Sequence, residues 1–375
     1  MYKTSIKNII ANFINRAYLH FKNYCGFLCF FIIKPIIKSK HFSLEKHTIL
    51  FFNNGQIGDL LVSSIILENE DLFPKTNKYV FLIKEEYFSL FKNYRGLFEI
   101  KTYNLSEYRF NIKYKLKLIN ELNNLGITKF FNLCAARGIL TEELSYFINS
   151  QNKYCLNKDS FFLDKFLIKY FNNIYKELYF ERKSNEYDKT LYLIKTAFKV
   201  NSSVLKFNNN KLFDFTIEKK EYVVISPFSS TISKDWDIKK FNSVISILSK
   251  KYKIIIIGIK KENDKRYDNI AELDNVENLL GKTSLMDVVK LIAKCSLFIG
   301  NDSGMTHLAL KLNKPIIAIV GGGGWNRFFP YYTNLEQKYI THFIDCFGCE
   351  WVCKLKTKYC LSNIEHYEII DCLRD

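Results

Sequence analysis

The sequence lacks any run of about 20 apolar residues, the length that a transmembrane helix needs. Its nearest approach, residues 24–37, is interrupted by Lys34 and Pro35. A small-residue cleavage site is also missing, so we expect neither a membrane-spanning helix nor a secretory signal. No G-x-G-x-x-G motif follows a predicted strand, which argues against a dehydrogenase that binds a dinucleotide.

The chain is also poor in acidic residues. It has 38 Asp and Glu residues against 55 Lys and Arg residues, which gives a formal net charge of +17. A basic chain favours anionic partners, such as nucleic acids, anionic membranes or phosphorylated substrates. Because the basic residues are spread along the chain and no nucleic-acid-binding module is evident, we do not expect a nucleic acid partner.

The first 46 residues form a basic and aromatic extension. Residues 1–41 combine Lys, Arg and His with Ile, Phe and Tyr, a composition typical of a helix that lies in a membrane interface. The alternative is a helix that packs on the protein's own core. The sequence leaves both interpretations open.

Short apolar runs alternate with longer helical patterns in two series, which begin at Thr48 and Tyr222. Such alternation predicts parallel sheets covered by helices. The polar, turn-rich residues 201–215 separate the two series. We therefore predict an α/β protein with two Rossmann-like domains, residues 47–210 and residues 211–375, that face one cleft.

The predicted elements of the two series have the following approximate bounds. The strands are residues 48–53, 79–83, 128–133, 222–226, 253–258, 276–280, 296–299 and 315–320. The helices between them are near residues 58–68, 85–93, 112–125, 140–148, 241–250, 264–273, 284–294 and 305–312. Residues 160–200 show no strong strand signal.

Residues 299–324 carry the densest functional signal, since a strand, an acidic-small-glycine turn, a helix and a second strand follow one another. Ser303 is a good N-cap, and Gly304 lets the backbone approach a ligand, so the N–H groups at the helix start suit a phosphate. Asp302 can bind a ribose or sugar hydroxyl, and His307 lies one helical turn later on the same side. The alternative is a capping pair with a structural histidine.

Four glycines, residues 321–324, follow the second of these strands directly. The N–H groups of Gly321 and Gly322 can form an anion nest, because glycine has free backbone dihedrals. The alternative is a flexible connector.

The stretch SPFSSTISKDW, residues 226–236, follows the first strand of the second domain. Ser229, Ser230 and Thr231 can hydrogen-bond a phosphate, and Lys234 can neutralise it. A diphosphate leaving group gains charge as a glycosidic bond breaks, so Lys234 is a candidate catalytic residue as well as a donor ligand. The alternative is a solvated loop lysine.

Gly58 and Asp59 follow the first strand of the N-terminal domain, at the first turn of a predicted helix. A carboxylate at this place can accept a proton from an attacking hydroxyl group. The alternative role for Asp59 is helix capping.

Four of the ten cysteines cluster with the spacing C-x2-C-x3-C-x6-C. They are Cys346, Cys349, Cys353 and Cys360. The first pair has the spacing of a metal knuckle, whereas the rest is tighter than a usual zinc ribbon. A structural zinc site is one interpretation, and reduced core thiols or redox pairing are the others. A catalytic metal is not expected, since four thiolates leave no open position.

Several stretches together resemble glycosyltransferase family 9, the ADP-heptose:lipopolysaccharide heptosyltransferase family. They are IGDLLVSSIIL at residues 57–67, SPFSSTISKDWDIKKFNSVISIL at residues 226–248, NLLGKTSLMDVVKLIAKCSLFIGNDSGMTHLALKLNKPIIAIVG at residues 278–321, and the terminal cysteine segment. The resemblance covers residues 48–375 and is strongest in the second domain. It implies the GT-B fold, with the acceptor on the N-terminal domain and the nucleotide-sugar on the C-terminal domain.

The resemblance also implies residue roles. Asp59 matches the family's candidate base, and Lys234 matches its phosphate-binding lysine. Glu262 matches a carboxylate that contacts the ribose, and Arg137 matches a basic residue on the acceptor side. The donor-binding block corresponds to Asp302, Ser303, Gly304 and His307.

The chain departs from the family pattern in two places. After the last strand it reads GGGGWNRFFPYY, whereas the family often has G-P-T or G-P-S, so the threonine that would meet a phosphate is absent. The extension of residues 1–46 also precedes the family's usual start. Both differences indicate a divergent member and leave the donor sugar open.

We therefore predict an inverting glycosyltransferase that moves a heptose or similar sugar from a nucleoside-diphosphate donor, ADP-heptose, to a lipopolysaccharide or lipooligosaccharide core. The scheme requires no cofactor. The positive charge and the extension predict a cytoplasmic protein at the inner face of the cytoplasmic membrane. The alternatives are a sugar-nucleotide epimerase with the same fold and a non-catalytic protein that binds membranes or polyanions.

Overall fold

A computed structural model describes most of the chain. Among the described helices, none is both long and apolar enough to cross a membrane. The described residues are 6–35, 37, 47–157, 160, 162–178, 184–201, 205–206, 221–259, 264, 266–267, 270, 272–330 and 337–373. Residues 11–212 form one unit, the N-terminal unit, and residues 213–375 make up most of a second, the C-terminal unit.

The N-terminal unit is built on a six-stranded parallel sheet. Its strands are β1 (Thr48–Phe52), β2 (Lys78–Lys84), β3 (Phe98–Tyr103), β4 (Ile127–Asn132), β5 (Ser150–Cys155) and β6 (Glu177–Leu178). Their order in the sheet is β3-β2-β1-β4-β5-β6, the order of a Rossmann sheet. The order reverses between β1 and β4, and ligands bind beside the carboxyl ends of the strands at such a point.

Eight α-helices lie between residues 6 and 198 in the described part of the chain. They are α1 (Ile6–Ile33), α2 (Ile57–Ser63), α3 (Ile65–Glu68), α4 (Leu105–Phe110), α5 (Ile112–Asn123), α6 (Ile139–Phe147), α7 (Lys165–Asn172) and α8 (Glu186–Phe198). Polar N-caps start several of them, since Asn111 accepts hydrogen bonds at the start of α5 and Asp164 does so at α7.

The C-terminal unit repeats this plan with a second six-stranded parallel sheet. Its strands are β7 (Tyr222–Ser226), β8 (Lys253–Ile256), β9 (Val276–Asn278), β10 (Leu297–Asn301), β11 (Ile316–Ile319) and β12 (Gln337–Ile340). Their order is β12-β11-β10-β7-β8-β9, so the reversal lies between β7 and β10. The helices of this unit are α9 (Ile238–Leu248), α10 (Leu285–Lys294), α11 (Gly304–Lys311), α12 (Tyr359–Ser362) and α13 (His366–Asp371).

The central strands of both sheets are buried along their whole length. All five residues of β1 and all five of β7 are buried. A parallel strand that helices cover on both faces reads as a continuous apolar run, as TILFF and YVVIS do. These buried strands fix the position of the loops that follow them.

The predicted fold class, two Rossmann-like parallel sheets with flanking helices, is confirmed. All the predicted strands are present, with bounds that shift by up to two residues. The sequence did not predict β3, β5, β6 or β12. The helix predicted near residues 264–273 falls in part outside the described residues.

Helix α1 forms most of the N-terminal extension, and the buried ones among its described side chains lie between residues 23 and 33. Phe27, Phe30 and Ile33 are buried, and the first two make ring contacts with Tyr170 and Phe171 of α7. Large apolar side chains are exposed along the helix, including its last turns, namely Ile10, Phe13, Ile14, Tyr18, Phe21, Tyr24, Leu28, Phe31 and Ile32. Among the described residues, the helix therefore packs on the protein's own core near its C-terminal end.

Candidate active site

The strand-order reversal of the C-terminal unit places two loops side by side. One follows β7 and spans residues 227–237, and the other follows β10. Asn301, the last residue of β10, holds them together. Its Nδ2 donates to the carbonyl oxygen of Pro227 at 2.6 Å, and its Oδ1 accepts from the backbone N–H of Trp236 at 3.2 Å.

Lys234 and Asp302 meet between these loops. The Nζ of Lys234 lies 3.0 Å from Oδ1 of Asp302. The Asp302 side chain is only 2% exposed, whereas that of Lys234 is 24% exposed. The carboxylate is thus enclosed, and the ammonium group keeps one side open towards an anionic ligand.

Two buried polar atoms beside this pair have no hydrogen-bond partner among the described residues. They are Oδ2 of Asp302 and Oγ of Ser303. Ser303 is the N-cap of α11, as predicted, but its hydroxyl makes no capping bond. Buried polar atoms are nearly always paired in native proteins, and a helix N-terminus attracts anions. Gly304, which is half-buried, lies next to these atoms in the sequence. A phosphorylated ligand at this helix start could supply the missing hydrogen-bond partners.

His307 lies one turn into α11 and is almost fully buried. Its ring stacks on Phe329, with the ring centroids 4.6 Å apart. Burial lowers the pKa of His307 to about 4, although the nearby Asp302 carboxylate opposes this shift. The imidazole is therefore neutral at pH 7.

The glycine loop, residues 321–324, packs against aromatic rings. A Cβ on Gly321 or Gly323 would lie 2.6 Å or 2.4 Å from ring atoms of Trp351, and one on Gly322 would lie 2.7 Å from Phe347. None of the four glycines has the left-handed dihedral of an anion nest. We therefore correct the prediction that Gly321 and Gly322 cradle a phosphate, because their lack of side chains serves close ring packing.

Ser229, predicted as a phosphate ligand, is engaged inside the loop that follows β7. Its Oγ and its backbone N–H each lie 2.7 Å from Oδ1 of Asp235. The other carboxylate oxygen of Asp235 accepts a hydrogen bond from Arg266. This use of Ser229 corrects its prediction as a ligand, whereas Ser230 and Thr231 are exposed.

The reversal point of the N-terminal unit carries Asp59. This residue lies in the first turn of α2, where its Oδ2 accepts the backbone N–H of Gln56 at 3.2 Å and completes a capping box. A Cβ on Gly55 would lie 2.5 Å from the Cβ of Asp59, so only glycine allows this approach. Asp59 and the neighbouring Gly58 are half-buried. Asp59 therefore caps its helix and stays accessible.

Arg137, predicted on the acceptor side, has no exposed side-chain surface. Its guanidinium binds both carboxylate oxygens of Glu142 at 2.8 Å, the carbonyl oxygen of Asn157 and Oδ1 of Asn172. Such a fully enclosed bidentate pair cannot reach a substrate without breaking the fold. The structure therefore corrects the acceptor role of Arg137, which instead joins segments within the N-terminal unit.

The four clustered cysteines form no disulfide and no metal site in the described part of the chain. Cys346, Cys349 and Cys353 are half-buried, and Cys360 is buried. Burial raises the pKa of Cys346, Cys349 and Cys360, which favours neutral thiols. The described cysteines thus show no metal site as they are placed, and the structural zinc stays a prediction.

The structure thus brings Lys234, Asp302, Ser303, Gly304 and His307 together in the C-terminal unit. The predicted ribose ligand Glu262 lies outside the described residues. Two further residues at this place are not predicted by the sequence. They are Arg266, which binds Asp235, and Trp351, whose only signal is an aromatic residue inside the cysteine cluster.

The comparisons with known proteins agree with this architecture. The model of glycosyltransferase family 9 (heptosyltransferase) matches residues 177–343. The chain is 27% identical over 290 residues to lipooligosaccharide heptosyltransferase 2 of Campylobacter jejuni. This alignment covers 76% of this chain and 83% of that protein. It is 25% identical over 341 residues to lipopolysaccharide heptosyltransferase 1 of Campylobacter coli, with 85% and 96% covered.

Solved structures extend the likeness to the fold. The E. coli heptosyltransferase WaaC with ADP-2-deoxy-2-fluoro heptose superposes with a TM-score of 0.65 at 15% identity, covering 87% of this chain and 99% of that one. At such low identity the superposition shows the GT-B fold alone. Together, the family model and the two relatives support a glycosyltransferase enzyme of glycosyltransferase family 9.

Proposed function

We propose that this enzyme transfers a heptose, or a similar sugar, from ADP-heptose to a lipopolysaccharide or lipooligosaccharide core, with inversion at the anomeric carbon. The names of both Campylobacter relatives support heptose transfer to such cores. The ADP-linked heptose analogue of the E. coli structure supports the choice of donor.

One observation carries the donor site, namely the two buried oxygen atoms of Asp302 and Ser303, beside Lys234, that have no hydrogen-bond partner within the described parts of the chain. In our proposal, Lys234 and the N-terminus of α11 bind the donor diphosphate. The Ser303 hydroxyl donates to a phosphate oxygen, and Oδ2 of Asp302 accepts from a ribose or sugar hydroxyl. Binding then pairs two atoms whose burial otherwise costs free energy.

The reaction is a single displacement. The acceptor hydroxyl oxygen attacks the anomeric carbon on the face opposite the diphosphate. The new C–O bond forms as the bond to the diphosphate oxygen breaks, and its electron pair leaves with the diphosphate. Asp59 takes the hydroxyl proton as general base, with Gly58 leaving room for the acceptor. Lys234 stabilises the charge that develops on the leaving group, and the scheme uses no cofactor.

We further propose that α1 holds the enzyme on the cytoplasmic face of the membrane that carries the acceptor. The exposed apolar side chains of this helix support this placement. So does charge, because residues 6–33 contain no acidic residue and the whole chain carries +17. Anionic lipid headgroups attract such a surface, and the apolar side chains enter the interface.

The experiment that tests the proposed function measures release of nucleoside diphosphate from a panel of nucleotide-sugars, with and without a lipid-linked core saccharide. We expect release from ADP-heptose that depends on the saccharide. Interconversion of the free nucleotide-sugar without an acceptor would instead indicate an epimerase. An absence of any nucleotide-sugar binding by calorimetry would indicate a non-catalytic binding protein, and either result would refute the proposal.

A further inference from the structure

An aromatic residue of the cysteine-rich segment lies against both the glycine loop and Lys234. The indole of Trp351 covers the loop so closely that a Cβ on Gly321 or Gly323 would meet it at 2.6 Å or 2.4 Å. The same indole faces Lys234, whose Nζ lies 5.5 Å from the ring centroid. A cation over the face of a Trp ring at this distance is attracted by the ring.

The ammonium group of Lys234 is therefore held from two sides. Oδ1 of Asp302 binds it at 3.0 Å, and the Trp351 ring limits where the flexible side chain can go. The glycine loop contributes to the same arrangement, because a Cβ on Gly324 would lie 2.7 Å from Oδ2 of Asp302. A lysine has four rotatable side-chain bonds, so a ring on one side restricts it considerably.

The backbone beneath Trp351 is unusual and is fixed by its surroundings. Glu350 and Trp351 have φ angles of 51° and 66°, in the left-handed region that residues with a side chain rarely adopt. The backbone N–H of Gly348 donates to the carbonyl oxygen of Gly322 at 2.7 Å, which ties this segment to the glycine loop. The strained backbone directs the indole onto the loop, and such strain tends to occur at functional sites.

We propose that Trp351 is a positioning residue for Lys234. It holds the ammonium group beside Asp302, where the proposed function needs a cation for the donor diphosphate, and this inference rests on that function. The four glycines then have a purpose that an anion nest does not give them. Gly321 and Gly323 let the Trp351 ring approach close enough to form one wall of the phosphate site.

A thermodynamic cycle on ADP binding tests this role. Calorimetry would measure the Kd of ADP for the wild type, Trp351→Leu, Lys234→Ala and the double variant, with thermal unfolding as a check on folding. We expect Trp351→Leu to weaken binding about tenfold, the range of a partly desolvated cation–π contact. In the Lys234→Ala background the same change should have no further effect, because the side chain that it positions is gone.

Two matched variants complete the design. Trp351→Phe keeps an aromatic face and should retain most of the affinity. Phe343→Leu removes an exposed ring of the same segment that contacts Trp325 and Phe347, and it should leave the Kd unchanged.

The outcomes separate the two proposals. If Lys234→Ala weakens ADP binding but Trp351→Leu does not, the positioning role is refuted and the proposed function stands. Equal weakening by Trp351→Leu in both backgrounds would also refute it, since this indicates a general collapse of the loop. If Lys234→Ala leaves ADP binding unchanged, or the wild type binds no ADP, the proposed donor site fails and the role of Trp351 fails with it.

Discussion

Asp302 divides its two carboxylate oxygens between the protein and a ligand. Oδ1 accepts the ammonium group of Lys234, and Oδ2 is buried without a partner among the described residues. The ion pair offsets part of the desolvation free energy of the buried carboxylate. A ligand that donates a hydrogen bond to Oδ2 offsets more of it, and this contributes to binding. A ligand hydroxyl group that reaches Oδ2 can therefore donate a hydrogen bond to it without displacing another hydrogen-bond donor.

The buried imidazole of His307 makes stability depend on acid. Its folded-state pKa is about 4, below the ordinary 6.5, so the unfolded chain binds more protons between these values and folding weakens as the pH falls through that window. We expect this residue to cost the wild type about 2 kcal/mol of unfolding free energy between pH 7 and pH 5. The variant His307→Gln should lack that loss.

Tryptophan fluorescence during denaturant unfolding at the two pH values measures this effect. All three tryptophans, Trp236, Trp325 and Trp351, lie in the C-terminal unit and report its unfolding. The same pH dependence in the wild type and in His307→Gln would contradict a neutral, buried imidazole.

The identities of site residues are visible in the sequence, but their partners are not. The order of residues around Asp302 predicts Ser303 as an N-cap, and Ser303 is the N-cap residue of α11 in the structure. Arg137 also binds the carbonyl oxygen of Asn157 and Oδ1 of Asn172, which lie 20 and 35 residues later in the chain. The partner of the glycine loop is Trp351, 28 residues beyond Gly323, and no local pattern predicts such a contact.

At the scale of elements, the central strands are the predictable ones. β1 and β7 are covered on both faces, so their sequences read as apolar runs. The outer strands β3 and β12 lie at sheet edges and keep partly exposed residues, so FEIKTY and QKYI mix polar with apolar side chains. Their pairing depends on a neighbouring strand that is already in place, which a local pattern does not encode.

Helix α1 gives a prediction at this scale. Replacing Phe13 and Phe21, which are 73% and 68% exposed, by serine should lower binding to vesicles with anionic lipid at least about tenfold. Each Phe that enters an apolar environment contributes about 2 kcal/mol, so the loss of two such side chains exceeds that factor. Flotation of the double variant with such vesicles measures the effect.

The matched control is Phe110→Ser in α4, since that ring is 78% exposed but belongs to another helix. It should float as the wild type does. Flotation of the double variant equal to that of the wild type would show that α1 does not bind the membrane.

In the whole molecule, two units repeat one strand order, and each places loops with predicted site residues at the reversal point. In the C-terminal unit this rule accounts for the meeting of Lys234 and Asp302, which lie 68 residues apart in sequence. In the N-terminal unit it places Asp59 after β1, next to β4. The sequence predicted this plan because alternating apolar strands and helices allow few other arrangements.

In the proposed mechanism Asp59 and Lys234 carry sugar transfer, and a turnover assay tests these two roles. It compares turnover of ADP-heptose with a core acceptor by the wild type, Asp59→Asn, Lys234→Ala and the exposed-lysine control Lys239→Ala, with circular dichroism to confirm folding. We predict that the first two variants each lose at least about 100-fold in turnover while Lys239→Ala does not change. Full turnover in both Asp59→Asn and Lys234→Ala would contradict the account.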